Sequence, residues 1–491
     1  MAPIGLNFAM IHGVREMNLS VRANARLFIL FASFGWLLCH VLDETAFGQQ
    51  SSSETSSQKG PVLSINGCKR CHGVDSGASA LERVVSSWEN DPHSQAYSKL
   101  LSKDSQLIVA RLNRGTLDVA SPEYKKILRE QCVSCHANEQ TTDSQIIEHG
   151  VDCFVCHGPA KAWSGKEHYS GNTKDSRRFE GTDRLNMESL VERAKMCTSC
   201  HVGEINRGPG LQDREVDHQL MAAGHPPTYF DFEHYLERYL KHWDVDEENK
   251  RLGKFPPFER WRVGKLVSAQ VRLELLRDRA ERAMASPSST PHEWPELTEY
   301  SCSNCHHQFD SQSWRQQVRS SNAYTWDEWY LEGLEFAWPG ADEEQFVKPW
   351  RSAYAALKSS MESRHPDPAV IRSQAQTMID LCKLAIEAPV TPDETLLREQ
   401  LRSLLEDESK VTSWEKGAQW ATTTRMLSDS LGWNNENFAK IENAPERGFF
   451  GTPRRFNALT DLPAYESTDW FRPDALSKYR QSLQQQLGPK P

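Results

Sequence analysis

Gly150-Val151-Asp152-Cys153-Phe154-Val155-Cys156-His157-Gly158-Pro159 holds two cysteines three positions apart with a histidine directly after the second. The same C-x-x-C-H pattern recurs at Cys68, Cys71 and His72, at Cys132, Cys135 and His136, at Cys197, Cys200 and His201, and at Cys302, Cys305 and His306. These five copies take ten of the twelve cysteines in the 491-residue chain. On one helical turn, residues i and i+3 lie on the same side, so both thiols can form thioethers with the two vinyl groups of one haem. The histidine at i+4 then lies under the iron as its proximal ligand. Zinc knuckles and dithiol redox sites also use paired cysteines, but neither requires a histidine at the next position. With 17 histidines in 491 residues, a given position is His roughly 3% of the time, so five chance matches have odds on the order of one in ten million. The cofactor expected is haem c, five per chain, with His72, His136, His157, His201 and His306 as proximal iron ligands.

The rest of the composition agrees. Only 38% of residues are hydrophobic, lean for a large soluble protein unless macrocycles help fill the interior. The net charge of -10 argues against nucleic acid, a polyanion that recruits Lys and Arg; a redox protein donor and acceptor are the expected partners. At the N-terminus Arg15, Arg22 and Arg26 precede an apolar run from Leu27 to Leu42, and the small residues Ala46 and Gly48 stand before Gln49. That run is 16 residues long, short of the roughly 20 that span a bilayer, so residues 1–48 read as a secretory signal peptide. The location expected is the periplasm or another exported compartment, with membrane association only if this segment stays uncleaved.

Residues 49–66 form a Ser-rich linker opening with QQSSSETSSQK. Residues 67–310 carry all five motifs and read as a pentahaem cytochrome c domain, and residues 311–491, with nine of the fifteen tryptophans, as a helical domain of unknown role. The fold class expected is mainly α with long irregular segments. Leu266, Val267, Val271, Leu275 and Leu276 are spaced as a helix over Lys265 to Ala285, ended by Ser286-Pro287. Thr391 to Glu394 reads as a capping box before the stripe Leu396, Leu397, Leu401, Leu404 and Leu405. A second box at Thr412 to Glu415 opens a helix toward Gly432. The tryptophans are expected as core aromatics and Cys382, in a helical pattern, as a buried thiol.

The order of motifs carries more than their count. The first motif is followed by Trp88-x4-His93, then by the second motif, the Gly150 to Pro159 stretch, His168, and the fourth motif. Over about residues 66–205 this set resembles the multihaem cytochrome c family of the tetrahaem electron acceptor of hydroxylamine oxidoreductase. The resemblance implies that His93 is the distal ligand opposite His201 and that His168 is opposite His72. It implies too that the third haem takes a histidine from beyond the fourth motif, and that the second iron, that of His136, is five-coordinate. The fifth motif and about 180 further residues depart from the tetrahaem pattern. The irons of His157 and His306 therefore need ligands from new territory, and Asp217 to Pro227 supplies His218 and His225 as distal candidates, with Met221 as the runner-up there. His149 or His292 is the alternative that would close the His136 iron.

Two functions follow as expectations. The first is a carrier moving electrons through five covalently bound haems, without catalytic residues of its own. The alternative is a haem redox enzyme acting on a small nitrogen or sulfur compound at one open-coordination iron.

Overall fold

A computed structural model describes residues 68–69, 84–139, 147–158, 185–285, 294–305, 324–338, 340, 343–388, 390, 392–406, 414–433 and 473–488. All of them belong to the compact unit Pro61–Pro491. The expected signal peptide and linker, Cys71, His72, His168, His292, His306, Thr391 and Thr412 lie outside the described residues. The architecture is mainly α-helical with irregular connections, as the sequence led us to expect. Among the described residues β-pairing is limited to isolated bridges, Glu204 with Arg214 and Tyr300 with Trp326. No described helix is long and apolar enough to cross a membrane.

The first part of the chain is built of short helices: α1 (Val84–Glu89), α2 (Ala96–Lys99), α3 (Lys103–Leu112), α4 (Pro122–Gln131), α5 (Val133–His136) and α6 (Cys153–His157). Ser102 and Ser121 cap α3 and α4 by accepting from the backbone N–H three residues on. A small core of Leu100, Val109, Tyr124, Leu128 and Val133 joins them. Then follow α7 (Leu190–His201), α8 (His218–Ala223), α9 (Phe232–Arg238) and α10 (Val245–Leu252), and the longest helix, α11 (Pro256–Ala285).

α11 begins nine residues before the start expected at Lys265. Its first part buries Phe258, Trp261, Arg262 and Val263, so it is surrounded by protein on all sides. A helix without a polar face has no apolar stripe to announce it. At Gly264 the approach is close: a Cβ there would lie 2.4 Å from the Phe232 Cβ of α9.

Beyond α11 come α12 (Lys348–Met361), α13 (Pro368–Glu387), α14 (Glu394–Glu406), α15 (Trp414–Ser430) and α16 (Pro473–Leu487). α14 is capped by Asp393, whose carboxylate accepts from the Leu396 N–H at 2.8 Å. Asp serves an N-cap as well as Thr does, and Thr391 of the expected capping box lies outside the described residues. Leu397, Leu401, Leu404 and Leu405 are buried, as are Trp326, Trp329, Trp338, Trp350, Trp420 and Cys382. One hydrophobic core contains Phe258, Leu266 and Leu273 of α11 together with Met361, Ile379, Leu401 and Leu427 from the C-terminal helices. This cluster has members on both sides of residue 310.

Candidate haem-binding sites

The second, third and fourth motifs each lie on helix. α5 ends on His136, α6 spans Cys153–His157, and the last turn of α7 carries Cys197–His201. α6 is only five residues long, and Asp152 holds it by accepting from the N–H groups of Phe154 (2.9 Å) and Val155 (3.3 Å). Asn138, two residues past His136, donates to that same carboxylate at 3.1 Å. Arg214 ties the second motif to the fourth. Its Nε donates to the Ser134 carbonyl (2.9 Å) and its Nη1 to the Ser199 hydroxyl (2.6 Å). Thiols of different motifs are neighbours: Cys68 lies beside Cys153, and Cys135 beside Cys200.

Trp88-x4-His93 is latched to the approach to the third motif. The Trp88 indole donates to the Val151 carbonyl, and the Val151 N–H donates to the His93 carbonyl, both at 2.9 Å. Gly150, at φ +67°, sits where a Cβ would come within 2.5 Å of that His93 carbonyl, so only glycine fits.

Three motif histidines each face a second histidine. The ring centroids of His93 and His201 are 6.0 Å apart with planes at 87°. His136 and His225 are 6.4 Å apart at 90°, and His157 and His242 6.2 Å apart at 67°. Two imidazoles on one metal ion need two bonds of about 2 Å plus the offset of each nitrogen from its ring centre, roughly 6 Å in all. The observed spacings fit that arrangement.

The tautomers fit as well. His93 Nδ1 is 2.6 Å from Asp91 Oδ1, His136 Nδ1 is 3.2 Å from the Ala96 carbonyl, and His225 Nδ1 is 2.8 Å from the Pro226 carbonyl. A proton held on Nδ1 by such an acceptor leaves Nε2 with its lone pair free for a metal. Burial favours the neutral form at four of these rings, which ligation requires. It lowers His136 and His242, and brings His201 and His225 down to about 4. At Asp91 burial acts upward, but the hydrogen bonds from the His93 side chain and backbone outweigh it and hold the carboxyl below its ordinary value.

The same geometry bears on the other histidines singled out in the sequence. The ring that stands opposite His136 is that of His225. His149 instead packs edge-on against Trp88 at 6.4 Å. His157 is faced by His242 and by neither His218 nor His225. The turn after α8 has a physical part in this: Gly224, at φ +120°, ends the helix and turns the chain away from His218. His242 had no local signal in the sequence beyond the implication that the third haem's partner lies past the fourth motif.

The fifth motif lies apart from these pairs. Cys302 and Cys305 open onto a cavity whose walls include Val202, His218, Met221 and Tyr229. The C-terminal helices hold the motif in place: the Tyr300 hydroxyl donates to the Met361 carbonyl (2.9 Å) and the Ser301 hydroxyl to Glu415 (2.8 Å). Asp327, on the same cavity wall, is pushed up to about 7 by burial and by the charge of Glu415, against the pull of Arg272. Among the described residues no three of His, Cys, Asp and Glu converge as a bare metal ion would need.

Residues 67–158 match the family model for cytochrome c554 and c-prime. This segment therefore resembles a multihaem cytochrome c family over the first three motifs. No curated protein and no solved structure matches the chain.

Proposed function

We propose that this chain is an exported, periplasmic multihaem c-type cytochrome that moves electrons through five covalently attached haems. The observation that carries the reading is the facing of three motif histidines by second histidines at 6.0 to 6.4 Å. His201 with His93, His136 with His225, and His157 with His242 are the axial pairs; His72 with His168 remains as the resemblance implies it. The bound haem supplies one-electron chemistry, and its potential is set by axial ligands, burial and hydrogen bonding.

The protein's own residues do the rest. Asp152, Asn138 and Arg214 fix the attachment turns relative to one another. The neighbouring thiols Cys68 and Cys153, and Cys135 and Cys200, set the first haem beside the third and the second beside the fourth. Imidazoles on both faces exclude substrate from the iron and keep the ligand set unchanged on reduction. That favours a carrier over the enzyme reading, which needs an open iron.

Purified protein tests this directly. A pyridine haemochrome count should give five haems retained after acid extraction, and room-temperature absorption should show them low-spin without carbon monoxide binding. The crossed planes of His136 and His225, and of His93 and His201, leave the two π-interacting iron d orbitals nearly degenerate. Oxidised protein should therefore show strongly anisotropic low-spin electron paramagnetic resonance signals. A high-spin haem that binds carbon monoxide in unmodified protein would reject the closed carrier.

A further inference from the structure

We infer that the cavity behind Cys302 and Cys305 is the seat of the fifth haem, and that His218 takes the face of its iron opposite the motif's own histidine. The inference rests on reading the motifs as haem sites and goes beyond it, since the family match ends at residue 158.

Four observations converge. His218 and both attachment cysteines line the same cavity. The first residue of α8 is fastened to the segment leading into the fifth motif, because the His218 N–H donates to Glu296 at 2.8 Å. Arg279 of α11 bonds both Glu215, three residues before His218, and Glu299, three residues before Cys302. That arginine and both carboxylates are largely or wholly buried, so the two cavity walls are held in one geometry. Breaking such a pair costs far more than it would at the surface. Part of the wall suits a macrocycle: Val202, Met221, Leu275 and Tyr229 are apolar or aromatic, while Arg272 and Asp327 make another part polar.

The same cavity sets the fifth haem next to the fourth. Val202 directly follows His201, and Phe230 stacks on the His201 ring with centroids 4.8 Å apart. Its neighbour Tyr229 places its hydroxyl 3.8 Å from the Cys302 sulfur. Residues 202 and 229–230 thus bridge the fourth axial histidine to the fifth attachment site, which extends the haem chain from its fourth member.

The test uses the full-length haem-loaded protein. His218→Ala should keep five haems while converting one from low-spin to high-spin and admitting one carbon monoxide per chain. In protein carrying Cys302→Ser and Cys305→Ser, which should hold four haems, adding His218→Ala should change nothing further. His218→Met should replace one bis-histidine band by a histidine–methionine band in near-infrared magnetic circular dichroism, which keeps the inference testable if the alanine variant folds poorly. An unchanged spectrum in the His218 variants overturns the assignment. So does a spin change that persists in the four-haem protein, or a loss of low-spin haem in Met221→Leu. A haem count below five in the unmodified protein would instead strike the underlying reading of the motifs.

Discussion

Replacing His225 by alanine separates a closed second iron from an open one. The ring removed stands 6.4 Å from His136, centroid to centroid, with its Nδ1 held by the Pro226 carbonyl at 2.8 Å. Alanine takes away the imidazole and leaves a gap too large for that carbonyl to fill, since it lies on the far side of the lost ring. On the proposed reading the haem itself stays, because Cys132 and Cys135 would attach it and His136 would still hold the other face. The expected change is therefore one iron in five, about 20% of the total, from low-spin to high-spin, with one carbon monoxide bound per reduced chain. Neutral free imidazole should enter the gap and restore the low-spin spectrum, whereas acetate should not. Absorption and electron paramagnetic resonance on the same sample measure both. If all five irons stay low-spin in His225→Ala, the pairing of His136 with His225 is wrong, and the proposed ligand set fails at its second site.

What the sequence could and could not disclose divides by range. The attachment turns were legible because two thiols and a histidine at i, i+3 and i+4 are a local pattern, fixed by helical geometry alone. His93 was legible as an implication of motif order, and the structure brings its ring to His201 across a stretch of 108 positions latched by Trp88 and Gly150. His225 was legible as a candidate but not the ring it faces, and His242 was not legible at all, because their partners are selected by the path of the chain after Gly224 and through α9. No periodicity within either segment records that path. The start of α11 was hidden for a related reason: a helix buried on every side lacks the polar face that periodicity detects. The C-terminal helices disclosed their leucine stripe but not their task, which comes from two side-chain contacts, Tyr300 to Met361 and Ser301 to Glu415, made over long separations.

Three further outcomes test the physical account. Asp91→Asn should raise the potential of the His201 haem, because a carboxylate on His93 Nδ1 favours the ferric state; a charge-assisted bond of about 1.5 kcal/mol corresponds to roughly 60 mV for one electron, and spectroelectrochemistry showing no shift would remove Asp91 from that role. Gly264→Ala should lower stability by up to about 2 kcal/mol, since the clash with Phe232 (about 1–3 kcal/mol) outweighs the helix-propensity gain of about 1 kcal/mol; a raised denaturation midpoint would contradict the close approach of α9 and α11. Asp327→Asn should make the fold more stable at neutral pH and less dependent on pH. Asp327 is raised to about 7 by burial and the charge of Glu415, above an unfolded value of about 3.9, so the unfolded chain releases its proton first. The wild-type protein is then free of this cost below pH ~4 and loses stability as pH rises to about 7, by at most ~4 kcal/mol. Asparagine cannot ionise, yet its side-chain oxygen can still accept the Trp329 N–H that Asp327 holds at 3.0 Å. The stability difference between variant and wild type should therefore grow between pH 4 and pH 7 and level off above it, and a difference that stays flat across that range in denaturant titrations would show that Asp327 is not forced to hold its proton.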